Sequence, residues 1–268
     1  MKILIAGAGN MGKTYARSLL AHHFVQPADL LVFDHKTQQD EFLKNVPPQN
    51  IFTHPTDVIA LADIVLLCVK PQDFAALAAE IKPYVHEQQL MLSIMAGITL
   101  STLEQSLNVT KVVRAMPNLP AQIGMGMTVF TCSAGIDRKE LFIVQNLLNA
   151  TGKSLYVENE NLIDAATAIS GSGPAYVYYF MQSIIDKAVA FGFSKQAAEL
   201  MANQTFMGAV HLHNQHGLSC EEWIIKVASK GGTTEAALAE FQNKQLSTSI
   251  QDGLQAAANR AAELGKAK

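Results

Sequence analysis

The chain has 268 residues, 49% of them hydrophobic and 16% charged, a balance typical of globular proteins with one large or two ordinary domains. Its net charge of −3, without a block of basic residues, argues against nucleic acid as a partner. Cys68, Cys132 and Cys220 lie far apart and fit no metal-ligand spacing, which predicts buried thiols in a reducing compartment. The apolar run after Met1 is too short for a signal-peptide core or a membrane span, so we expect a soluble cytoplasmic protein with no membrane association.

The first 160 residues alternate apolar runs of strand length with helix-like segments. The strand candidates are Lys2–Ala6, Leu30–Phe33, Ile64–Val69, Leu90–Ile94, Lys111–Met116 and Met127–Thr131. The helix candidates between them include Asn10–Ala21, Phe74–Ile81 and Lys139–Asn149. Such alternation is typical of βαβ units, so the sequence predicts an α/β fold with a mostly parallel, Rossmann-like sheet over residues 1–160.

The pattern changes near Asn161, beyond which no segment is a good strand candidate. Helical patterns cover Tyr176–Ala190, Ala197–His211 and the stretch from Ile250 to Leu264. The sequence therefore predicts an all-α domain over residues 161–268. Helices that are apolar nearly all round cannot bury that surface within so small a domain, so we also expect a helix-mediated homo-oligomer.

A G-x-G-x-x-G pattern at residues 7–12 follows the first predicted strand and begins the first predicted helix. In a dinucleotide site Gly7 would allow the tight turn, Gly9 the approach of the pyrophosphate, and Gly12 close packing of helix on strand. The alternatives are a plain βα turn and the related loop of methyltransferases. The residues that we assign to this part of the site are Ala6, Gly7, Gly9, Asn10, Met11 and Gly12.

The end of the second predicted strand carries both acidic and basic residues. Asp34 lies about 20 residues after Gly12, where a carboxylate accepts hydrogen bonds from the adenosine ribose and favours NADH. His35 and Lys36 follow and are suited to the 2′-phosphate of NADPH. The sequence leaves the choice between NADPH and NADH open.

Two further strand ends are expected at the same edge of the sheet, because ligands of open α/β sheets bind beyond the carboxyl ends of strands. Val69, Lys70 and Pro71 follow one strand, and Lys70 either faces phosphate or ribose or is a solvated loop lysine. Ala96 and Gly97 follow the next, where small residues let a nicotinamide ring lie close to the backbone.

A glycine–threonine stretch near the C-terminus predicts a second site. Ser229, Gly231, Gly232, Thr233 and Thr234 precede a helix-like run. Glycines let backbone N–H groups approach a ligand, and N–H groups with hydroxyls at a helix start are suited to an anion such as a carboxylate. The two sites together suggest an enzyme that brings a dinucleotide and a small acid together.

Six segments, taken together, are similar to one family over essentially the whole chain. They are GAGNMG (7–12), CVKPQ (68–72), MAGIT (95–99), VVRAMPNLPA (112–121), SGSGPAY (170–176) and GGTT (231–234). In order and spacing the chain resembles pyrroline-5-carboxylate reductases. The resemblance implies reduction of 1-pyrroline-5-carboxylate to L-proline with NADPH or NADH, a Rossmann-like N-terminal domain, and a helical C-terminal dimerisation domain. It also implies a homodimer through the C-terminal helices, which in this family often assembles into decamers.

The resemblance also implies roles for the residues of the glycine–threonine stretch. Backbone N–H groups of Gly232 and Thr233, with Ser229 nearby, would hold the substrate carboxylate, and Thr234 would hydrogen-bond the ring nitrogen as the catalytic residue. The chain departs from the family where Lys230 replaces proline, where Leu119 replaces threonine, and where Asp34-His35 replaces Asn-Arg. Which chain of the oligomer completes the site is left open.

The same residues bear on three rival functions and on a metal site. A β-hydroxyacid dehydrogenase needs a lysine early in the first long helix of its second domain, whereas Lys187 comes several turns too late. An imine reductase for a larger ring stays an open alternative, since one methylene changes substrate discrimination only by about 1–3 kcal/mol. A non-enzymatic dinucleotide sensor also stays open, because Lys230 and Leu119 depart from the family. His211 and His213 diverge on a helix, so we expect no metal site.

Overall fold

A computed structural model describes residues 1–35, 44–54 and 57–266 of the chain. The strands are β1 (Ile3–Ala6), β2 (Leu30–Phe33), β3 (Ile51–Phe52), β4 (Ile64–Leu67), β5 (Leu90–Ser93), β6 (Val112–Met116), β7 (Gly126–Cys132) and β8 (Gly152–Tyr156). The helices are α1 (Asn10–Ala21), α2 (Phe74–Ile81), α3 (Leu100–Leu107), α4 (Arg138–Asn149), α5 (Asn161–Ala166), α6 (Gly173–Ala190), α7 (Lys195–Gln215), α8 (Cys220–Val227), α9 (Thr233–Asn243) and α10 (Leu246–Lys266).

The strands form a single sheet in the order β3-β2-β1-β4-β5-β6-β7-β8. Strands β1 to β6 run parallel, β7 is antiparallel to β6, and β8 is parallel to β7. The strand order reverses between β1 and β4, which places a crevice at the carboxyl ends of these two strands. The predicted Rossmann-like α/β fold is confirmed.

Alternate residues of the central strands enter two hydrophobic cores, one on each face of the sheet. Ile3 and Ile5 of β1 face a core that includes α1 and α4, whereas Leu4 and Ala6 face a core that includes α2 and α3. Because both faces are covered, strands β1, β2, β4 and β5 are buried along their whole length. The sheet therefore holds the loops at its carboxyl edge on a rigid base.

Two strands escaped prediction. Strand β8 has the sequence GKSLY and pairs with β7 at the edge of the sheet, where most of its side chains are exposed. An exposed edge strand needs no apolar run, so the hydrophobic pattern gives no signal there. Strand β3 contains just Ile51 and Phe52 and is too short for a periodic pattern.

The described chain divides into two compact units, one of Met1–Gly173 with the end of the chain from Ala257, and one of Pro174–Ala256. The sequence predicts a boundary at residue 161, whereas α5 belongs to the compact unit that contains the sheet. Buried Arg114 on β6 explains this, because its Nη1 lies 2.9 Å from Glu160 Oε1 and its Nη2 lies 2.6 Å from Asp164 Oδ1. From residue 161 to 266 the described chain contains helices and no strand, as predicted. In the described ranges, no helix is long and apolar enough to span a membrane.

Candidate cofactor and substrate sites

The loop after β1 requires glycine at two positions. Gly7 has a φ of 102°, in the left-handed region, and its amide donates a 2.8 Å hydrogen bond to the carbonyl of Phe33 on β2. A Cβ on Gly12 would lie 2.0 Å from the carbonyl oxygen of Gly7. The first turn of α1 therefore packs directly on the loop, which follows the buried Ala6 at the end of β1.

Gly9 leaves the start of α1 open to a ligand. It is the N-cap residue of this 12-residue helix, and no side chain caps the amides of the first turn. A Cβ on Gly9 would meet no atom within 4 Å, and Asn10 beside it is exposed while Met11 is half-buried. Uncapped amides with space in front of them suit an anion, so these residues fit the pyrophosphate of a dinucleotide.

The residues after β2 are held by specific contacts. Asp34 Oδ2 accepts a 2.6 Å hydrogen bond from the Ala8 amide, which joins the end of β2 to the glycine loop. His35 Nε2 lies 3.2 Å from Glu80 Oε2 on α2, and its ring meets Phe33 edge-on at 5.1 Å between centroids. Lys36, which the sequence assigns to the same subsite, lies outside the described residues.

The loop after β4 lies beside the glycine loop. The Cys68 amide donates to Ala6 O at 2.8 Å, and Val69 Cγ1 lies 3.0 Å from the position that a Cβ on Gly7 would take. Burial raises the pKa of the Cys68 thiol, so this thiol stays protonated at neutral pH. Lys70 is exposed, and Pro71 begins a short 3₁₀ turn after it.

The loop after β5 comes from the same edge of the sheet. Ala96 is half-buried, and Gly97 is buried with a φ of 72°, which favours glycine. The residues assigned to the glycine loop, Asp34, His35, the Val69 loop and the Ala96 loop thus all follow the carboxyl ends of parallel strands β1, β2, β4 and β5.

The glycine–threonine stretch of the second unit forms a tight turn before α9. The Gly232 amide donates to Ser229 O at 2.9 Å, and Gly231 has a φ of 75°. Lys230 is not among the residues with positive φ, so this is a type II turn with Lys230 at its second position. A Cβ on Gly232 would lie 2.5 Å from Ser229 Oγ, so the serine hydroxyl can take this position only because residue 232 is glycine.

The turn already uses the backbone amides of two residues that the sequence assigns to the substrate site. The Gly232 amide, which the sequence assigns to the substrate carboxylate, closes the turn itself, and the Gly231 amide donates a 2.6 Å hydrogen bond to Glu235 Oε2. Thr233 and Thr234 are the first two residues of α9, and amides at these positions have no acceptor within a helix. Gly232, the N-cap residue, offers no side chain to cap them.

Two residues of the first unit were not assigned from the sequence. Glu80 contacts His35 from a separate helix, and nothing in the local sequence signals this. Asn118 Nδ2 donates to Ser170 O at 3.0 Å and Asn118 Oδ1 accepts from the Met127 amide at 2.9 Å, which ties β7 to the π-helical turn Thr167–Gly171. Asn118 lies in the motif VVRAMPNLPA, and this motif could have identified it as a candidate residue.

Comparisons with known proteins agree with both units. Residues 160–264 match the family model described as pyrroline-5-carboxylate reductase dimerisation, and residues 2–97 match the one described as NADP oxidoreductase coenzyme F420-dependent. The pyrroline-5-carboxylate reductase of Pseudomonas aeruginosa is 34% identical over 99% of this chain and 97% of its own length. The enzyme of that name from Arabidopsis thaliana is 30% identical, over 99% of this chain and 96% of its own.

Solved structures give the same result. A crystal structure of Plasmodium falciparum pyrroline carboxylate reductase with NADP bound has a TM-score of 0.88 at 25% identity, and covers 99% of this chain and 98% of its own. The two sequence relatives are 34% and 30% identical, and each alignment covers 99% of this chain. This chain therefore belongs to the pyrroline-5-carboxylate reductase family.

Proposed function

We infer that this chain reduces 1-pyrroline-5-carboxylate to L-proline, the last step of proline biosynthesis, using NADPH or NADH. The observation that carries the inference is a glycine turn before the uncapped first amides of α9, in a chain that matches a relative over 99% of its length. We propose residues 1–160 as the dinucleotide-binding domain and residues 161–268 as the substrate and dimerisation domain. The prediction of three buried thiols is wrong, because Cys220 is exposed while Cys68 and Cys132 are half-buried. We propose a cytoplasmic location from the three free thiols.

The cofactor, when bound, supplies the hydride. We propose that the uncapped amides at the start of α1 hold its pyrophosphate, with Gly9 and Gly12 allowing the close approach. Asp34 would accept hydrogen bonds from the adenosine ribose, and Val69 with Lys70 and Pro71 would line the crevice between β1 and β4. The small residues Ala96 and Gly97 would leave room for the nicotinamide ring.

The substrate is a small acid, and we propose that the turn before α9 binds its carboxylate. The amides of Thr233 and Thr234 lie at the positive end of an 11-residue helix, which attracts an anion. The Ser229 hydroxyl lies at the turn next to Gly232 and adds a donor. The Gly231 and Gly232 amides then serve mainly to fix the turn.

The reaction needs hydride at the imine carbon and a proton on the ring nitrogen. Because a protonated imine is already electrophilic, the chain need not supply a strong acid. We propose that the Thr234 hydroxyl hydrogen-bonds the ring nitrogen. Through this hydroxyl, a proton from water reaches the nitrogen. Alignment of donor and acceptor at near contact then provides most of the rate acceleration.

The chain is a homo-oligomer, as its dimerisation region indicates, and we propose a dimer through the C-terminal helices. The helices of the second unit carry large apolar side chains that a single chain leaves in solvent: Tyr179 is 75% exposed, Leu200 67% and Ile225 73%. Apolar surface of this extent calls for a partner. Light scattering with size-exclusion chromatography distinguishes a dimer from the decamer that the resemblance implies, and a monomer at micromolar concentration would contradict both.

The decisive experiment is an assay of the purified protein with 1-pyrroline-5-carboxylate and each reduced cofactor, followed by the loss of reduced-nicotinamide absorbance. We expect turnover together with formation of L-proline. Cofactor binding without turnover on this imine, but with turnover on a larger ring, would favour a different imine reductase. Binding without turnover on any imine would favour a sensor.

A further inference from the structure

We propose that Glu80 is a specificity-determining residue that makes the adenosine end of the cofactor site prefer NADH to NADPH. The inference rests on the proposed cofactor site and names a residue outside the motifs that define it. It follows from the neighbours of His35 at the end of β2.

The difference between the two cofactors is a phosphate on the adenosine ribose. Enzymes that accept this phosphate in Rossmann-like sites place a cationic side chain near the end of the second strand. His35 directly follows Asp34 at this point. His35 is therefore a cation-forming side chain at the point where a 2′-phosphate is expected.

His35 is already held by an acidic side chain. Its Nε2 lies 3.2 Å from Glu80 Oε2, a hydrogen-bonding distance. Glu80 is held in place by its helix, because α2 buries Phe74, Leu77 and Ile81 in the core next to the sheet. The His35 ring also packs edge-on against Phe33, at 5.1 Å between centroids.

The resulting charge pattern disfavours a phosphate. Asp34 and Glu80 place two carboxylates near the site, and the positive charge of a protonated His35 would be paired with Glu80. A ribose with a free 2′-hydroxyl can donate to Asp34, whereas a 2′-phosphate brings negative charge toward both carboxylates. The side chains of His35 and Glu80 are 55% and 42% exposed, so screening by salt should weaken this repulsion.

The test measures the dissociation constants of NADPH and NADH for the purified oligomer in the absence of substrate. We expect Glu80→Gln to lower the Kd for NADPH about fivefold to tenfold, equivalent to about 1–1.4 kcal/mol. We expect the same substitution to change the Kd for NADH less than about twofold, because the uncharged 2′-hydroxyl of NADH is not repelled by the Glu80 carboxylate. The gain for NADPH should shrink as the salt concentration rises.

The matched control is Glu87→Gln, which removes the same charge from an exposed residue shortly before β5. That position precedes the amino end of a parallel strand, whereas the cofactor site follows the carboxyl ends. An equal effect of both substitutions would show a general charge effect and overturn the proposal. An unchanged Kd for NADPH in Glu80→Gln, or an equal gain for NADH, would also overturn it. The binding measurement uses no imine, so its result is independent of the reductase assay.

Discussion

The Asp34 carboxylate accepts a hydrogen bond of 2.6 Å from the Ala8 amide, and this contact ties the end of β2 to the glycine loop that follows β1. The same carboxylate is the proposed acceptor for the adenosine ribose. One side chain therefore shapes the loop and selects the ligand. A substitution that removes the acceptor for the Ala8 amide should lower the stability of the fold. A substitution that removes only the charge should mainly change cofactor binding.

Asp34→Ala should destabilise the protein by about 1–3 kcal/mol, because the Ala8 amide loses a charged acceptor in a partly buried place. Urea unfolding without cofactor measures this loss. Asp34→Asn is the control, because its amide oxygen can still accept from Ala8. If Asp34→Ala were as stable as the wild type, the contact would contribute nothing to the loop.

Gly12→Ala and Gly9→Ala form a matched pair. A Cβ at residue 12 would lie 2.0 Å from the Gly7 carbonyl oxygen, so backbone must move, and we expect a loss of about 1–3 kcal/mol from overpacking. A Cβ at residue 9 would meet no atom within 4 Å, so this variant should fold normally.

Gly9→Ala should weaken cofactor binding without disturbing the packing of α1. Gly9→Ala should bind NADPH and NADH at least about tenfold more weakly, since its methyl group fills the space proposed for the pyrophosphate. Thermal unfolding and cofactor titration of both variants separate packing from binding. Normal cofactor binding by Gly9→Ala would argue against a pyrophosphate at this position.

Thr234→Ala should lower kcat about a hundredfold, because the imine nitrogen loses its hydrogen-bonding partner. Cofactor affinity should stay close to the wild-type value, since Thr234 belongs to the turn before α9 and not to the glycine loop. Thr234→Ser, which keeps the hydroxyl, should recover most of the activity. Wild-type turnover in Thr234→Ala would show that the role assigned to this hydroxyl is wrong.

Lys230→Pro should stabilise the protein by about 0.4–1 kcal/mol. Lys230 occupies the second position of the type II turn between Ser229 and Gly232, where proline fits the backbone and restricts the unfolded chain. Lys230→Ala removes the charge without this restriction and should leave stability within about 0.5 kcal/mol of the wild type. Urea unfolding of the two variants is the measurement, and a destabilised proline variant would contradict the assigned turn.

Alkaline pH should destabilise the protein through Tyr15. Burial raises the pKa of this hydroxyl from 10.0 to about 12, with a partly compensating influence from Thr128 and Thr151. The Tyr15 hydroxyl nevertheless has no partner of hydrogen-bonding geometry among the described residues. Between these two pH values the unfolded chain releases a proton that the folded chain retains, so stability falls by up to about 3 kcal/mol as the pH rises.

Tyr15→Phe should remove this part of the pH dependence and leave stability at neutral pH similar or slightly higher, because the buried hydroxyl is unpaired. Burial also raises the pKa of Cys68, so a slope of the same sign should remain from about pH 9 upwards. Urea unfolding at a series of pH values checks both statements. An unchanged slope in Tyr15→Phe would show that Tyr15 is not its source.

Much of the first unit was predictable because its signals are local. The helices Asn10–Ala21 and Phe74–Ile81 have the predicted bounds, since helical periodicity and flanking residues mark both ends. The glycine requirements at Gly7 and Gly12 were also readable, because a βα turn of this kind forces them. Strand β8 was missed because an exposed edge strand carries no hydrophobic pattern.

The α/β plan, the glycine loop and the family could be predicted from the sequence, because periodicity and backbone requirements depend on neighbouring residues. The contact of Glu80 with His35 and the ion pairs of Arg114 with Glu160 and Asp164 became visible in the folded chain. The folded chain also showed that the Gly232 amide closes its own turn and thereby shifts the proposed carboxylate contacts to the first amides of α9. These contacts depend on how distant segments pack and on the exact geometry of a turn. A local sequence pattern contains neither.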